Sequence, residues 1–73
     1  MSRNVNVQDV FLNAVRVQKI PVTVFMTNGF QQKGIVVSYD GYTILLINEG
    51  KQHLLYKHAV STIVPSKGVQ LHE

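Results

Sequence analysis

Pro21-Val22-Thr23-Val24-Phe25-Met26-Thr27-Asn28-Gly29-Phe30 is the stretch that decides the fold. Before it, apolar residues recur at helical spacing; within it, they alternate. Pro21 cannot continue a helix and begins an extended segment. Val22, Val24 and Met26 then point one way, and Thr23, Phe25 and Thr27 the other, which is the period of a strand. Asn28-Gly29 is a strong short hairpin signal. A helix therefore gives way here to strands joined by tight turns.

Upstream, Asn6 is a good N-cap, and Asp9 places a negative charge in the first turn, where it suits the helix dipole. Phe11, Leu12, Ala14, Val15 and Gln18 follow at helical spacings, with Arg16 and Lys19 toward the C-terminal end. The pattern predicts a helix over about residues 7–18. Downstream, a second strand runs from Phe30 to Tyr39. Gly34 in its middle predicts a sharp bend or bulge, as a small barrel needs at a corner. Asp40-Gly41 is a second hairpin signal. Tyr42 to Asn48 reads as a third strand, with Leu45, Leu46 and Ile47 buried near its centre. Glu49-Gly50-Lys51 is a third turn, and Gln52 to Tyr56 a fourth strand. Lys57-His58-Ala59 fits one 3₁₀ turn. Val60 to Val64 is a fifth strand stopped by Pro65, and the polar tail from Ser66 is expected to fray.

Composition agrees. β-branched residues abound, and Ala stands only at 14 and 59, which argues against a helical bundle. One helix before five short strands predicts a mainly β fold, a small, strongly bent barrel. An SH3-like barrel of Sm type and an OB-like barrel are the two candidates. The helix ahead of all five strands favours the Sm type. The chain has 73 residues, no cysteine and 45% hydrophobic residues against 15% charged. That is too apolar for disorder and small for a domain that folds alone. Disulfides and thiolate sites are excluded, and some of the apolar surface is expected to be buried against other chains.

Charge and motif content narrow the function. Seven Lys and Arg against four Asp and Glu give a net charge of +3 and suggest an acidic partner. No apolar run reaches membrane-span length, and the start has no signal-peptide core, so a cytoplasmic, non-membrane protein is expected. Asp9, Asp40, Glu49 and Glu73 form no pair placed for acid–base work. His53 and His58 lack helical metal spacing and a third ligand, so no metal is expected. Gly-rich phosphate loops are absent, and no cofactor is expected. An enzyme is thus disfavoured. What remains is aromatic, amide and basic: Tyr39, Tyr42 and Tyr56 beside turns, Phe25 and Phe30 around Asn28-Gly29, and Gln8, Gln31, Gln32, Gln52 and Lys57. Aromatic faces can stack unpaired bases, and amides can read base edges. In a small barrel such aromatics are more often core than base platforms. Composition alone leaves a small β-barrel open to nucleic acid.

Tyr56-Lys57-His58-Ala59 followed by Val60-Ser61-Thr62 goes further, because it resembles the signature of the Hfq family, the bacterial Sm-like RNA chaperones. Gln8-Asp9-x-Phe11-Leu12-Asn13 resembles the family's helix start. Val22-Thr23-Val24-Phe25, Asn28-Gly29-Phe30 and Lys33-Gly34 resemble its first hairpin. Tyr39-Asp40-x-Tyr42-Thr43-Ile44-Leu45-Leu46 resembles its second and third strands. Gly50-Lys51-Gln52-His53 is similar to versions from Gram-positive bacteria. The resemblance spans about residues 7–65. It implies an Sm-like domain there, an N-terminal arm over residues 1–6 and a short tail over 66–73.

The resemblance also implies an assembly and its surfaces. The family forms a homohexameric ring in which the fourth strand of one subunit pairs with the fifth of the next. That would put Leu54, Tyr56, Val60, Thr62 and Val64 at subunit boundaries. Uridines would bind a proximal face, with Tyr42 stacking the base, Lys57 and Gln8 bonding its edge, His58 lining the pore, and Gly41 and Asn48 close by. A-rich RNA would bind a distal face at Phe25, Met26, Asn28, Gly29, Phe30, Gln31, Gln32, Lys33, Ser61 and Thr62. Relatives often carry Gln or Lys where Gly41 stands, Tyr where Phe25 stands, and Gln where His53 stands. Many carry an Arg-rich lateral rim; here Arg16 and Lys19 are the two cations of that run. The implied function is pairing of small regulatory RNAs with messenger RNAs, with single-stranded RNA as partner. The alternative is a monomeric SH3-like or OB-like module that binds nucleic acid or a peptide. It differs in having no ring.

Overall fold

Asn6 opens the helix as its type dictates: its backbone is extended, and its side-chain oxygen accepts a bond from the Asp9 N–H at 3.2 Å. The computed structural model describes residues 6–71. Most of the N-terminal arm (residues 1–5) and the last two residues of the tail lie outside that range. Helix α1 spans Val7–Gln18 and buries Leu12, Ala14 and Val15. It stops at Lys19, which adopts a left-handed backbone (φ 55°). The Lys19 N–H then bonds the Arg16 carbonyl and the Ile20 N–H the Val15 carbonyl. This is a Schellman-type stop made with Lys instead of the usual Gly. Ile20 follows it straight into the core, 1% exposed.

Five strands come next: β1 Val22–Met26, β2 Gln31–Tyr39, β3 Thr43–Asn48, β4 Lys51–Tyr56 and, after a 3₁₀ turn at Lys57–Ala59, β5 Val60–Pro65. All neighbours are antiparallel, in the order β4-β3-β2-β1-β5. This is the helix-plus-five-strand Sm-type architecture read from the sequence. The helix and the 3₁₀ turn fall where the sequence put them. Pro65 is the last residue of β5 and not the first beyond it. It sits opposite Val22 at the sheet edge, where its missing N–H matters least.

Gly34 makes the bend. The first part of β2 pairs with β1 as far as Val22↔Gly34, and from Ile35 onward it pairs with β3. At the junction the chains come so close that a Cβ on Gly34 would lie 2.7 Å from the Ile47 carbonyl oxygen. Only a residue without a side chain permits that approach. A register shift between Val36 and Ser38 adds a bulge just beyond. The sheet folds over a core of Leu12, Val15, Ile20, Val22, Val24, Val36, Ile44, Leu46 and Leu55, with Phe11, Met26 and Val60 packed against it.

Two expectations need correction. The run Leu45-Leu46-Ile47 is not buried as a block. Strand pleating sends Ile44 and Leu46 inward and leaves Leu45 and Ile47 half-buried. The hairpin turn expected at Asn28-Gly29 joins β1 to β2. Gly29 alone has positive φ, the Gly29 N–H bonds the Met26 carbonyl, and Met26 N–H bonds the Phe30 carbonyl, so the loop has three residues. The two-residue type I′ turn lies at Glu49-Gly50, both with positive φ, between the paired Asn48 and Lys51. Lastly, residues 66–71 do not fray. The Ser66 N–H bonds the Pro21 carbonyl, Val69 packs against the core, and Gln18 Nε2 donates to the Gln70 carbonyl at 2.9 Å. The valine and these two bonds hold the tail across the helix. Among the described residues, no helix is long and apolar enough to cross a membrane.

Replacing Gly34 with Ala forces β2 away from Ile47 and is expected to destabilise the fold by about 1–3 kcal/mol. The same change at Gly41, where an added Cβ meets nothing within 4 Å, is expected to stay within about 0.5 kcal/mol. Urea unfolding of the two variants at matched concentration measures both.

Candidate nucleic-acid interface

The Asp40 carboxylate builds the first surface. Its Oδ1 accepts from the Tyr42 N–H at 2.8 Å, the Thr43 N–H at 2.7 Å and the Thr43 hydroxyl at 2.8 Å. These bonds fix the β2–β3 turn and push Tyr42 out, where it is 81% exposed. The Tyr42 carbonyl accepts from the Lys57 N–H at 2.8 Å, which docks the 3₁₀ turn onto this hairpin. On the other side of that turn the Ala59 carbonyl accepts from the Thr27 N–H at 2.8 Å. Two hairpins therefore clamp the segment that carries Lys57 and His58. His58 is exposed, its ring tilted against Tyr56 with centroids 6.0 Å apart. Gln8 is exposed in the first turn of α1, and Gly41 and Asn48 are exposed at the turns.

Lys57 is the unusual member. Its Nζ is shielded from solvent and has no hydrogen-bond partner among the described residues. It sits 5.8 Å from the centroid of the Tyr39 ring. An ammonium has three donors and no acceptor role, and leaving it dry and unpaired is costly. Such a group is suited to any acceptor that can reach it. The sequence named Lys57 but could not show that its ammonium is unpartnered. It offered Tyr39 only as one of the aromatics beside turns and could not show that its hydroxyl donates to the Asp9 carbonyl at 3.3 Å. The signal for the Asp40 clamp was present in Asp40-x-Tyr42-Thr43, a side-chain turn motif.

The second surface follows from strand register. Gln31, Phe25 and Thr62 lie in one row across β2, β1 and β5, and Lys33, Thr23 and Val64 lie in another. Both rows face away from the core. A register shift between Phe25 and Met26 leaves Ser61 as an extra residue beside them. Phe30 is 67% exposed, its N–H held by the Asn28 side-chain oxygen at 3.0 Å. Phe25, Gln31, Lys33 and Thr62 are thus brought to one side of the sheet, while Asn28, Gly29 and Phe30 in the loop and Ser61 at the bulge are exposed. Gln32 and Met26 are not. Gln32 pairs with Val24 in the core-facing row, and Met26 packs on the core.

The rim cations sit apart from both. The Arg16 guanidinium bonds the Asn13 side-chain oxygen. Arg16 and Lys19 flank a shallow depression floored by Ile35, Val37 and Ile47. At the sheet edges, β4 and β5 each have a strand neighbour on one side only among the described residues. Leu54 and Tyr56 are each 53% exposed, and Val64 is 45% exposed. Thr62 is exposed and Val60 half-buried on the same edge. His53 is half-buried, and no group of three His, Asp or Glu side chains comes together among the described residues.

The chain is similar to known proteins along nearly its whole length. The model of the Hfq protein family matches residues 7–70. RNA-binding protein Hfq of Halalkalibacterium halodurans is 54% identical over 71 residues, covering 97% of this chain and 91% of that protein. RNA-binding protein Hfq of Alkaliphilus metalliredigens is 57% identical over 65 residues, covering 89% of this chain and 81% of that protein. A crystal structure of the pleiotropic translational regulator Hfq superposes with a TM-score of 0.78 at 49% identity, covering 81% of this chain and 98% of that one.

The Asp40 clamp carries a pH signature. The Tyr42 N–H bond, then the two Thr43 bonds, hold its carboxyl below the ordinary value of 3.8, with the Lys57 charge acting in the same direction and desolvation opposing. A carboxylate with a lowered folded pKa contributes stability that is complete above its unfolded pKa and is lost as the pH falls through the folded one. Hydrogen exchange at the Tyr42 and Thr43 amides is therefore expected to keep its protection to lower pH than an ordinary aspartate would hold it, and to lose it as the pH falls through the lowered Asp40 value. In Asp40→Ala that protection is expected to be missing at every pH.

Proposed function

Because this chain belongs to the Hfq family, whose members are non-enzymatic RNA chaperones, we propose that it binds single-stranded RNA on two opposite faces of a homohexameric ring and promotes pairing of small regulatory RNAs with messenger RNAs. The observation that carries this reading is the Lys57 ammonium, shielded from solvent and without a hydrogen-bond partner among the described residues, on a turn bonded to the exposed Tyr42. Uracil suits such a pocket. Its ring offers a face to Tyr42, and its two carbonyl oxygens are acceptors for donors such as Lys57 and Gln8. His58 lines the pore beside the phosphates. A-rich RNA lies on the other face, across Phe25, Phe30, Gln31, Lys33, Ser61 and Thr62, with Asn28 and Gly29 shaping the loop. Met26 and Gln32 support that face from its core side.

The ring rests on the sheet edges. An open sheet with two unpaired edges invites strand pairing. Here one edge offers Leu54 and Tyr56 and the other Val60, Thr62 and Val64, which suits β4 of one chain against β5 of the next. A heterologous contact of this kind leaves no edge once it closes. Six copies of a +3 chain carry +18, a far stronger attractor for RNA than one copy. We assign residues 7–65 to the Sm-like domain and place the protein in the cytoplasm.

Native mass spectrometry is expected to give six times the 8.2 kDa chain mass; a monomer at micromolar concentration overturns the ring and favours a monomeric module. Tyr42→Ala and Lys57→Ala are expected to weaken oligo-U binding while sparing oligo-A, and Phe30→Ala to do the reverse. Each stacked base is worth about 1–3 kcal/mol, so the losses are expected at about 5- to 150-fold. Equal losses on both RNAs remove the two-face assignment. With Arg16 and Lys19 as its rim cations, the chain is expected to anneal complementary strands more slowly than an Arg-rich relative at matched salt. Equal rates contradict that.

A further inference from the structure

We propose that Tyr39 is the positioning residue of the Lys57 pocket. Its ring face holds the Lys57 ammonium in place, and its hydroxyl ties that ring to the first turn of α1, beside Gln8. The inference rests on reading this pocket as the uracil site and adds to it the device that keeps the site ready.

A lysine side chain is long and mobile, and fixing it costs rotamer freedom. Something must hold Nζ out of water. A carboxylate would hold it firmly but would take up its donors. Asp40 is near enough for its charge to be felt, yet its Oδ1 is committed to Tyr42 and Thr43. The Tyr39 ring, 5.8 Å away, attracts the positive charge through its π face without accepting a conventional hydrogen bond. All three N–H donors stay available for a ligand.

Tyr39 also stands where three parts of the pocket meet. It is the last residue of β2 and immediately precedes Asp40, the residue that sets Tyr42. Its ring carries Lys57. Its hydroxyl donates to the Asp9 carbonyl at 3.3 Å, one residue from Gln8. The stacking group, the ammonium and the amide are thereby referred to one side chain.

The test uses the full chain with Tyr39→Leu, Tyr39→Phe, Lys57→Met and the Tyr39→Leu/Lys57→Met pair. Oligo-U and oligo-A affinities and the assembly mass are measured for each. Tyr39→Leu is expected to weaken oligo-U about 2- to 30-fold, with oligo-A affinity and assembly mass unchanged. Tyr39→Phe, which keeps the face, is expected to recover most of that loss. In the Lys57→Met background, Tyr39→Leu is expected to add nothing. Without RNA, the ring-current shift of the Lys57 ε-methylene protons is expected in the parent and in Tyr39→Phe, and to vanish in Tyr39→Leu. If Lys57→Met lowers oligo-U binding but Tyr39→Leu does not, the positioning role is wrong and the uracil pocket stands. If Lys57→Met leaves oligo-U binding intact, the pocket reading itself fails. Multiplicative losses in the double variant, or equal loss of oligo-A binding, reduce Tyr39 to a structural residue and overturn the proposal.

Discussion

The contact between Gly34 and the Ile47 carbonyl oxygen is the constraint on which the rest depends. It lets one strand serve two ladders, β1 before the bend and β3 after it. Without that close approach, β2 would pair straight through, and a single flat sheet could not wrap the helix-packed core. The bend also decides where the edges fall. Because β2 is shared, β4 ends one side of the sheet and β5 the other. The apolar side chains on those edges are then exposed, with no further strand among the described residues to cover them.

Much of this was legible in the sequence. The helix limits could be read because an N-cap, a first-turn acid and a following proline act over a few residues. The bend could be read because a glycine inside an alternating strand has few other uses. Turn types were less legible. Asn28-Gly29 and Glu49-Gly50 both contain the residue that tolerates positive φ, but the strand register around each decides how many residues the loop spans. The burial of Leu45-Leu46-Ile47 was misjudged for a related reason. A continuous apolar run conceals the pleat, and only the partner strands tell inside from outside. The docked tail was hidden because Val69 stands in a mostly polar stretch, and Gln18, which bonds the neighbouring Gln70 carbonyl, is far away in sequence.

The site shows the same division. Residue types suggested which side chains could meet RNA, and the family resemblance suggested where. Neither could reveal that the Lys57 ammonium is dry, that Gln32 shares a row with Val24, or that Tyr39 lies under the lysine. These are facts of three-dimensional neighbourhood. They arise from register and from the 3₁₀ turn pinned between the Tyr42 and Thr27 hairpins.

That pinning gives the proposed function a physical economy. A binding site that must recognise a flexible single strand gains affinity when its own parts need little ordering. Tyr42 is already fixed by Asp40, the Lys57 backbone by Tyr42, and the Lys57 ammonium by the Tyr39 ring. A base arriving at such a site meets groups whose freedom was given up on folding. The desolvation of Lys57 is likewise incurred before the RNA arrives, so an acceptor that reaches it regains a bond at an already dry donor. The cost is carried by the fold, and a chain of this size has little stability to spare. The ring we propose answers that shortage as well, because the apolar edges that each chain leaves uncovered become buried where it repeats.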